Sequence, residues 1–260
     1  MKIQEIRSAT LIITYNHVRF LVDPWFAKKD SMPGFAKAFN EHLRQSRTEL
    51  PLPIEKLVDV DAVIVTYLLT YLHTDHFDQA AMEALDKNIP MFVQSLGDKQ
   101  LIEAHGFKNI KALTPEGVEF NGVTLYKTPT QHGKREIVKA QWATSNIPYD
   151  AMGVVFKTYG EKTLYLVCDS IMCYEVTSSI DTYKPDVIIV NACGATLLRG
   201  EPQKILMDVE DVQKLRLYTD KPIIASCMDA VSHATVSRDE LKALNLPNLL
   251  VPNDGETLEF

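Results

Sequence analysis

The chain has 260 residues, of which 46% are hydrophobic and 23% charged, and its formal net charge is −7 at pH 7. This composition is that of a globular protein with enough apolar residues for a sizeable core. The acidic balance argues against nucleic acid as a partner, because proteins that bind it usually present a basic surface. No apolar run approaches the roughly 20 residues that span a bilayer, which argues against a membrane protein.

The length predicts a single domain over residues 1–260. The N-terminus lacks the pattern of a signal peptide. The four cysteines form no Cys-x-x-Cys pair. We therefore expect reduced thiols and a cytoplasmic protein.

The chain begins with spaced apolar residues that predict two or three antiparallel strands ending at Asp23-Pro24. Residues 25–56 then change character, since prolines and a glycine interrupt regular structure, although Phe35 to Gln45 predicts a short helix. We interpret 25–56 as an insertion that covers a site, because long irregular segments after a strand often contact substrate.

Apolar runs and amphipathic stretches alternate after the insertion. They predict strands at 61–66, 90–94 and 109–113, with helices at 77–87 and 97–105. The predicted order is therefore β-rich first and then βα units.

The second half repeats that order. Asn121-Gly122 and Tyr159-Gly160 lie between short apolar runs and predict β-hairpins. The predicted strands at 186–190, 222–226 and 249–251 alternate with predicted helices at 174–183, 209–218 and 238–244. Two similar halves, each a sheet covered by helices on one side, predict an α/β fold with a four-layer αββα sandwich.

Two histidines and an aspartate lie where the strand at 61–66 gives way to the helix at 77–87, in the stretch His73-Thr74-Asp75-His76. Imidazole nitrogens and carboxylate oxygens are ligands that Zn²⁺, Mn²⁺ or Fe²⁺ accept. The alternative is a pair of loop histidines with Asp75 beside a helix N-terminus, and so short a motif does not decide between the two.

Three further candidates each follow a predicted apolar strand: His132, Asp169 and His233. Strand ends of an α/β protein meet at one edge, so these side chains could face the same place as the motif. Singly, each has a plainer interpretation, as a loop histidine or a helix N-cap. Asp23, also at a strand end, could orient a ligand histidine or serve as a turn residue.

The order His-x-Asp-His, a lone His, an Asp after a strand and a late His resembles that of the metallo-β-lactamase fold hydrolases. More narrowly, the chain is similar to the branch that contains L-ascorbate-6-phosphate lactonase. That similarity also involves Leu21-Val22-Asp23-Pro24-Trp25, the strand at 186–192 and the segment 229–233. The resemblance covers essentially the whole chain and implies the four-layer sandwich of the metallo-β-lactamase type.

Carried over by position, the resemblance implies two adjacent metal sites. The implied ligands are residue 71, His73 and His132 for the first site, Asp75, His76 and His233 for the second, and Asp169 as the bridge between them. Metals in such sites activate water and polarise an ester, lactone or phosphoryl oxygen. Asp75 could also take a proton from that water.

Position 71 is tyrosine here, where the family has histidine. One metal ion at the second site is therefore the first expectation, and two ions, with Tyr71 ligating or bypassed, the second. If Tyr71 does not ligate, it could hydrogen-bond the substrate or the hydroxide. The family also often has glycine before the bridging aspartate, where this chain has Cys168.

These observations predict a metal-dependent hydrolase with one or two divalent ions (Zn, Mn or Fe) that attacks an ester, lactone or phosphoester of a small molecule. Lys134, Arg135 and Lys139 could meet an anionic substrate, or could be solvated loop charges. The alternatives are a non-catalytic binding protein with a partly decayed metal site and, less favoured, a di-iron oxidoreductase. The sequence leaves homo-oligomer formation open.

Overall fold

The computed structural model describes residues 1–36, 38–67, 74–137, 151–198 and 202–260. These residues form two seven-stranded sheets and a two-stranded ribbon. The strands, in chain order, are β1 (Lys2–Arg7), β2 (Thr10–Tyr15), β3 (Val18–Val22), β4 (Ala62–Val65), β5 (Met91–Val93), β6 (Ile110–Ala112), β7 (Val118–Phe120), β8 (Val123–Pro129), β9 (Met152–Lys157), β10 (Leu164–Leu166), β11 (Val187–Asn191), β12 (Thr196–Leu197), β13 (Gln203–Lys204), β14 (Ile223–Ser226), β15 (Leu249–Leu250) and β16 (Thr257–Glu259).

Short helices follow most of the parallel strands. Those of the described residues are α1 (Ile54–Leu57), α2 (Gln79–Ala84), α3 (Leu96–Ala104), α4 (Tyr174–Tyr183), α5 (Val209–Tyr218) and α6 (Arg238–Ala243). Helix α6 begins with a capping box, in which the Ser237 hydroxyl accepts from the backbone N–H of Glu240 and the Glu240 carboxylate accepts from the backbone N–H of Ser237. Within the described part of the chain, none of the helices is both long and apolar enough to cross a membrane.

The order of strands in each sheet places their carboxyl ends at a common edge. The first sheet runs β16-β1-β2-β3-β4-β5-β6 and the second β15-β14-β11-β10-β9-β8-β7. Strands β3 to β6 are parallel, as are β10, β11, β14 and β15. Strand β8 pairs antiparallel with β9, which pairs antiparallel with β10, so β8 ends at the same edge as β10.

Three apolar layers hold the elements together. The central layer lies between the sheets and includes Phe20 of the first and Ile189 of the second. One outer layer packs α2 and α3 on the first sheet, with Ala81 buried there. The other packs α4, α5 and α6 on the second sheet, where Val212 and Leu241 are buried. This arrangement confirms the four-layer αββα sandwich of the metallo-β-lactamase type.

A long segment without helix or named strand in its described part connects β3 to α1, and we call residues 24–53 the strap. The predicted helix between Phe35 and Gln45 is wrong. Met32 pairs with Gln45 in an isolated bridge, and Arg44 donates to the carbonyl of Asp30. These bonds turn the segment back on itself, which outweighs its helical propensity.

Candidate metal centre

Polar side chains gather at the edge where the parallel strands of both sheets end. Asp23 directly follows β3, and His132 comes three residues after β8. Asp169 comes three residues after β10, and Asn191 ends β11. All four are buried. The edge therefore contains a polar cluster enclosed by two sheets.

Asp169 lies at the centre of this cluster. Its Oδ2 is 3.2 Å from Nε2 of His76 and 3.8 Å from Nδ1 of His132. Its Oδ1 accepts a hydrogen bond of 2.7 Å from Nδ2 of Asn191. One carboxylate oxygen thus faces the histidines, while the amide of Asn191 occupies the other.

His76 is held from its other side by Asp23. The His76 Nδ1 is 3.0 Å from Oδ2 of Asp23. Asp23 is fixed in turn by Thr66, whose backbone N–H donates to Oδ1 at 2.7 Å and whose hydroxyl donates to Oδ2 at 2.6 Å. The carboxylate that the sequence suggests as an orienting group does contact a histidine, and it leaves Nε2 of that ring directed at Asp169.

Opposing effects set the pKa values of His76 and Asp169. Burial alone would lower the pKa of His76, but Asp169 and Asp23 outweigh it and raise that pKa well above its usual range. Burial alone would raise the pKa of Asp169, but His76, His132 and the Asn191 amide hold it well below its usual range. Without metal, the two carboxylates therefore favour the protonated form of His76.

The remaining described candidates, His233, His132 and Asp75, lie in the same cluster, and burial shifts their pKa values in different directions. His233, on the loop after β14, interacts electrostatically with Asp169, His132 and His76, and burial lowers its pKa to about 4. Burial also lowers the pKa of His132. Both rings are thus neutral at pH 7, the state in which imidazole binds a metal. Burial raises the pKa of Asp75 to about 6.

Aromatic rings flank the histidines. The Tyr67 ring, 2% exposed, has its centroid 5.1 Å from that of His132 and 6.0 Å from that of His76. The Phe35 ring of the strap has its centroid 4.9 Å from that of His233, edge to face. Two aromatic rings are therefore packed against histidines of the cluster.

Several predicted residues lie outside the described part of the chain, namely Tyr71, His73 and Lys139. Among the described residues, no three His, Cys, Asp or Glu side chains already form a coordination site. The donors present are imidazole nitrogen and carboxylate oxygen, which suit Zn²⁺, Mn²⁺ or Fe²⁺. The Nδ1 of His233 is buried and has no hydrogen-bond partner among the described residues, which also fits a ligand position.

The two described basic residues predicted to meet an anionic substrate differ in surroundings. Arg135 forms an ion pair with Glu175 at 3.4 Å. Glu175 also accepts a hydrogen bond of 2.7 Å from Gln131. Lys134 is exposed. The charge of Arg135 is therefore at least partly neutralised within the protein.

Backbone geometry explains the glycine that the family often has before the bridging aspartate. Cys168 adopts φ of +60°, in the left-handed region. A residue with a side chain adopts that region at a cost of about 1–2 kcal/mol, which glycine avoids. The chain tolerates Cys168 there because its side chain is buried in the central layer.

Residue patterns alone did not single out Asn191, Tyr67 or Phe35. Asn191 and Tyr67 carry the signal that identified Asp169, a polar group at the end of an apolar strand. Phe35 carries no such signal, because its place depends on how the strap folds. Three further histidines, His17, His42 and His105, are exposed and lie outside the cluster.

Comparison with known proteins adds to this geometry. No family model matches the chain. Over 267 residues it is 37% identical to UPF0173 protein YddR of Bacillus subtilis strain 168, with all of both chains covered.

Solved structures resemble the chain along its whole length. Isothiocyanate hydrolase from Delia radicum gut bacteria has a TM-score of 0.92 and 36% identity, over 100% of this chain and 99% of that one. A possible metal-dependent hydrolase from Veillonella parvula DSM 2008 has a TM-score of 0.91 and 36% identity, over 99% and 98%. The metallo-β-lactamase fold protein YhfI of Bacillus subtilis, at 0.61 and 14% over 99% and 98%, is similar in fold alone.

Proposed function

This chain belongs to the UPF0173 family and is a hydrolase of the metallo-β-lactamase superfamily, and from that premise we propose that it is a metal-dependent hydrolase of small neutral electrophiles. One observation carries the proposal. A buried carboxylate, Asp169, is directed at His76 and His132, with the neutral ring of His233 near it. Buried nitrogen and oxygen donors at a strand edge are what a divalent metal requires.

Six side chains would hold the metal. They are His73, Asp75, His76, His132, Asp169 and His233. A divalent Zn, Mn or Fe ion bound there would lower the pKa of its water towards neutrality and polarise the electrophile. One ion or two, and Tyr71 as ligand or as hydrogen-bond donor to the substrate, are both part of this proposal.

Asp75 is proposed as the group that accepts the proton of the attacking water. Its pKa of about 6, raised by burial, leaves it ionised at pH 7 but basic enough to hold a proton. His76 is held by Asp23, so its proposed role is to ligate the metal rather than to transfer a proton.

We propose isothiocyanates as the first substrates to test. The relative named isothiocyanate hydrolase is 36% identical, and aromatic rings flank the histidines in this chain. In R–N=C=S, water adds to the central carbon, and one of its protons moves to nitrogen and the other to sulfur. The C–N bond of the thiocarbamic acid R–NH–C(=O)–SH then breaks as the S–H proton passes to nitrogen, which gives R–NH₂ and O=C=S.

Esters, lactones and phosphoesters are the classes expected from the sequence, and sugar-phosphate lactones belong to the lactonase branch. Those with a phosphate need a cation to receive it. The pairing of Arg135 with Glu175 weakens that expectation for one of the predicted cations. Neutral esters and lactones remain in the proposal beside isothiocyanates.

The test combines metal content with activity. The purified protein should contain a divalent metal and hydrolyse members of a panel of isothiocyanates, esters, lactones and phosphoesters. His76→Ala and Asp169→Ala should lose both metal and activity, while His105→Ala, at an exposed histidine, should keep both. A His76→Ala protein with full metal and full activity would refute the proposed site.

A non-catalytic binding protein on the same scaffold is the second candidate, and Tyr71 in place of histidine is the observation that favours it. In that case the protein would neither contain metal nor take it up on dialysis against Zn²⁺ or Mn²⁺. A Tyr71→His variant that gains one metal ion per chain would show that this residue governs the first site.

A further inference from the structure

The strap is tied together at its base by one buried arginine. The guanidinium of Arg7, on β1, donates to the carbonyls of Trp25 and Ala27 at 2.6 and 2.9 Å. It also donates to the carbonyl of Thr48 at 3.1 Å. Both ends of the strap are therefore held at one point, and its course between them is restricted.

The far part of the strap is attached to the loop that carries His233. The backbone N–H of Arg47 donates to the carbonyl of Ala230 at 2.8 Å. The side-chain carbonyl of Gln45 accepts from both the backbone N–H and the hydroxyl of Ser232, at 3.3 and 3.4 Å. Ser232 is the residue before His233, so the strap and this candidate ligand are held in one unit.

Phe35 lies where these attachments bring the strap against the candidate metal centre. Its ring meets the ring of His233 edge to face, with the centroids 4.9 Å apart. His233 is 8% exposed, whereas Phe35 is only half-buried. An apolar surface thus lies within one side chain of a candidate ligand and is not fully covered by the protein.

We infer that Phe35 forms the wall of the substrate site and selects substrates that carry an apolar group beside the reactive carbon, on the nitrogen of an isothiocyanate or on the carbonyl carbon of an ester. The inference rests on the proposed function and specifies its substrate class. A reactive carbon near His233 would place its substituent against the Phe35 ring, which gains from contact with alkyl or aryl groups and offers nothing to a phosphate. Tyr67 packs against His132 and His76 and is itself buried, so Phe35 is the ring of the two that a substrate could reach.

The first experiment measures kcat/KM for methyl, allyl and benzyl isothiocyanate. In the wild type, kcat/KM should rise from methyl to benzyl. Phe35→Ala should reduce the benzyl-to-methyl ratio roughly five- to tenfold, while Phe35→Leu, which keeps apolar bulk, should reduce it less. Phe39→Ala removes another ring of the same strap, 42% exposed, and should leave the ratio unchanged.

The second experiment needs no turnover. Isothermal titration of the metal-loaded protein with acetohydroxamate and benzohydroxamate measures how much a phenyl group adds to binding. The preference for benzohydroxamate should fall by the same five- to tenfold in Phe35→Ala and stay in Phe39→Ala. Equal metal content in the three proteins shows that the substitutions leave the metal centre loaded.

The outcomes separate the two proposals. If the wild type hydrolyses esters but no isothiocyanate, the isothiocyanate proposal fails and the titration still judges Phe35. An unchanged phenyl preference in Phe35→Ala overturns the inference even when isothiocyanates are hydrolysed. So does the same loss in Phe39→Ala, or a wild type that binds neither hydroxamate.

Discussion

Asp169 presents its two oxygens to different partners, and Asn191 decides which oxygen is available. The Asn191 amide occupies Oδ1 and is one of the groups that keep the carboxylate ionised. Removal of a group that hydrogen-bonds a metal ligand commonly weakens metal binding.

Asn191→Ala should therefore weaken metal binding about 10- to 100-fold. Without the amide, Asp169 loses the hydrogen bond that orients its carboxylate. Competition with a chelator measures the loss of affinity. Asn88→Ala, at an exposed loop asparagine, is the control, and equal affinities in both variants would contradict the assigned role.

His76 offers a second test at this scale, because Asp23 raises its pKa from a distance of 3.0 Å. In the metal-free protein, Asp23→Asn replaces a charge by a neutral acceptor and should lower the pKa of His76. NMR titration of the imidazole protons measures the shift. Asp59→Asn, at an exposed aspartate that pairs with Arg19, should leave the pKa of His76 unchanged. A His76 titration that is the same in Asp23→Asn and wild type would show that the contact carries no charge effect.

At the scale of elements, the strap depends on Arg7 more than on its own sequence. The guanidinium is fully buried, stacks on the Trp25 ring at 4.8 Å and donates to three carbonyls. Burial lowers its pKa to about 10, which still leaves it charged at pH 7. Lysine, a point donor without the planar fork, cannot reach three separated carbonyls.

Arg7→Lys should consequently lower the free energy of unfolding by roughly 3–5 kcal/mol, since buried carbonyls lose their donors. Trypsin should also cut the strap at Lys28, Lys29 or Arg44 faster than in the wild type. Arg19→Lys is the control, because its ion pair with Asp59 is exposed and such pairs contribute at most about 1 kcal/mol. Unchanged cleavage in Arg7→Lys would mean that the strap is held elsewhere.

Elements with a local signal were predictable from the sequence, and those without one were not. Strands such as β7 and β8 were predicted because Asn121-Gly122 fixes a tight turn. The helical prediction at Phe35 to Gln45 failed because bonds to distant residues determine the strap. The role of Arg7 has no sequence signature, since its partners are backbone carbonyls that any residue provides.

For the whole molecule, the layered architecture and the meeting of the strand ends followed from element order. Asp169, His132 and His76 were each predicted at a strand end, and the fold brings them together. Strand β16 was missed because three residues give no pattern; its pairing with β1 is a tertiary property. Whether these side chains hold metal stays a prediction.

The same first strand makes global stability depend on pH. Glu5 is 1% exposed and lies near Ser226 of the second sheet, Arg238 of α6 and Asp254. Burial raises its pKa well above the usual range. Above pH 4.5 the unfolded chain therefore releases a proton that the folded protein keeps, so this residue's contribution to stability falls as pH rises.

Glu5→Gln should remove that decline, which amounts to at most about 1.4 kcal/mol per pH unit for one group. The free energy of unfolding of the variant should rise relative to that of the wild type between pH 5 and pH 7, as measured by urea unfolding at each pH. For Glu119→Gln, at an exposed carboxylate on β7, the plot of unfolding free energy against pH should run parallel to that of the wild type. A Glu5→Gln curve that also runs parallel would show that Glu5 is ionised in the folded state.

Because the Arg7 guanidinium holds both ends of the strap, the tip of the strap, residues 29–44, could be exchanged as a unit. The two ends of the strap lie beside one another at Arg7, and Ala38 and Phe39 of its tip pair with β12, so a tip from a relative that keeps this pairing could be grafted there. Such chimeras would keep the reaction of the host protein and adopt the substrate preference of the donor. New substrate specificities in this fold would then arise by exchanging one loop, without changes to the candidate metal centre.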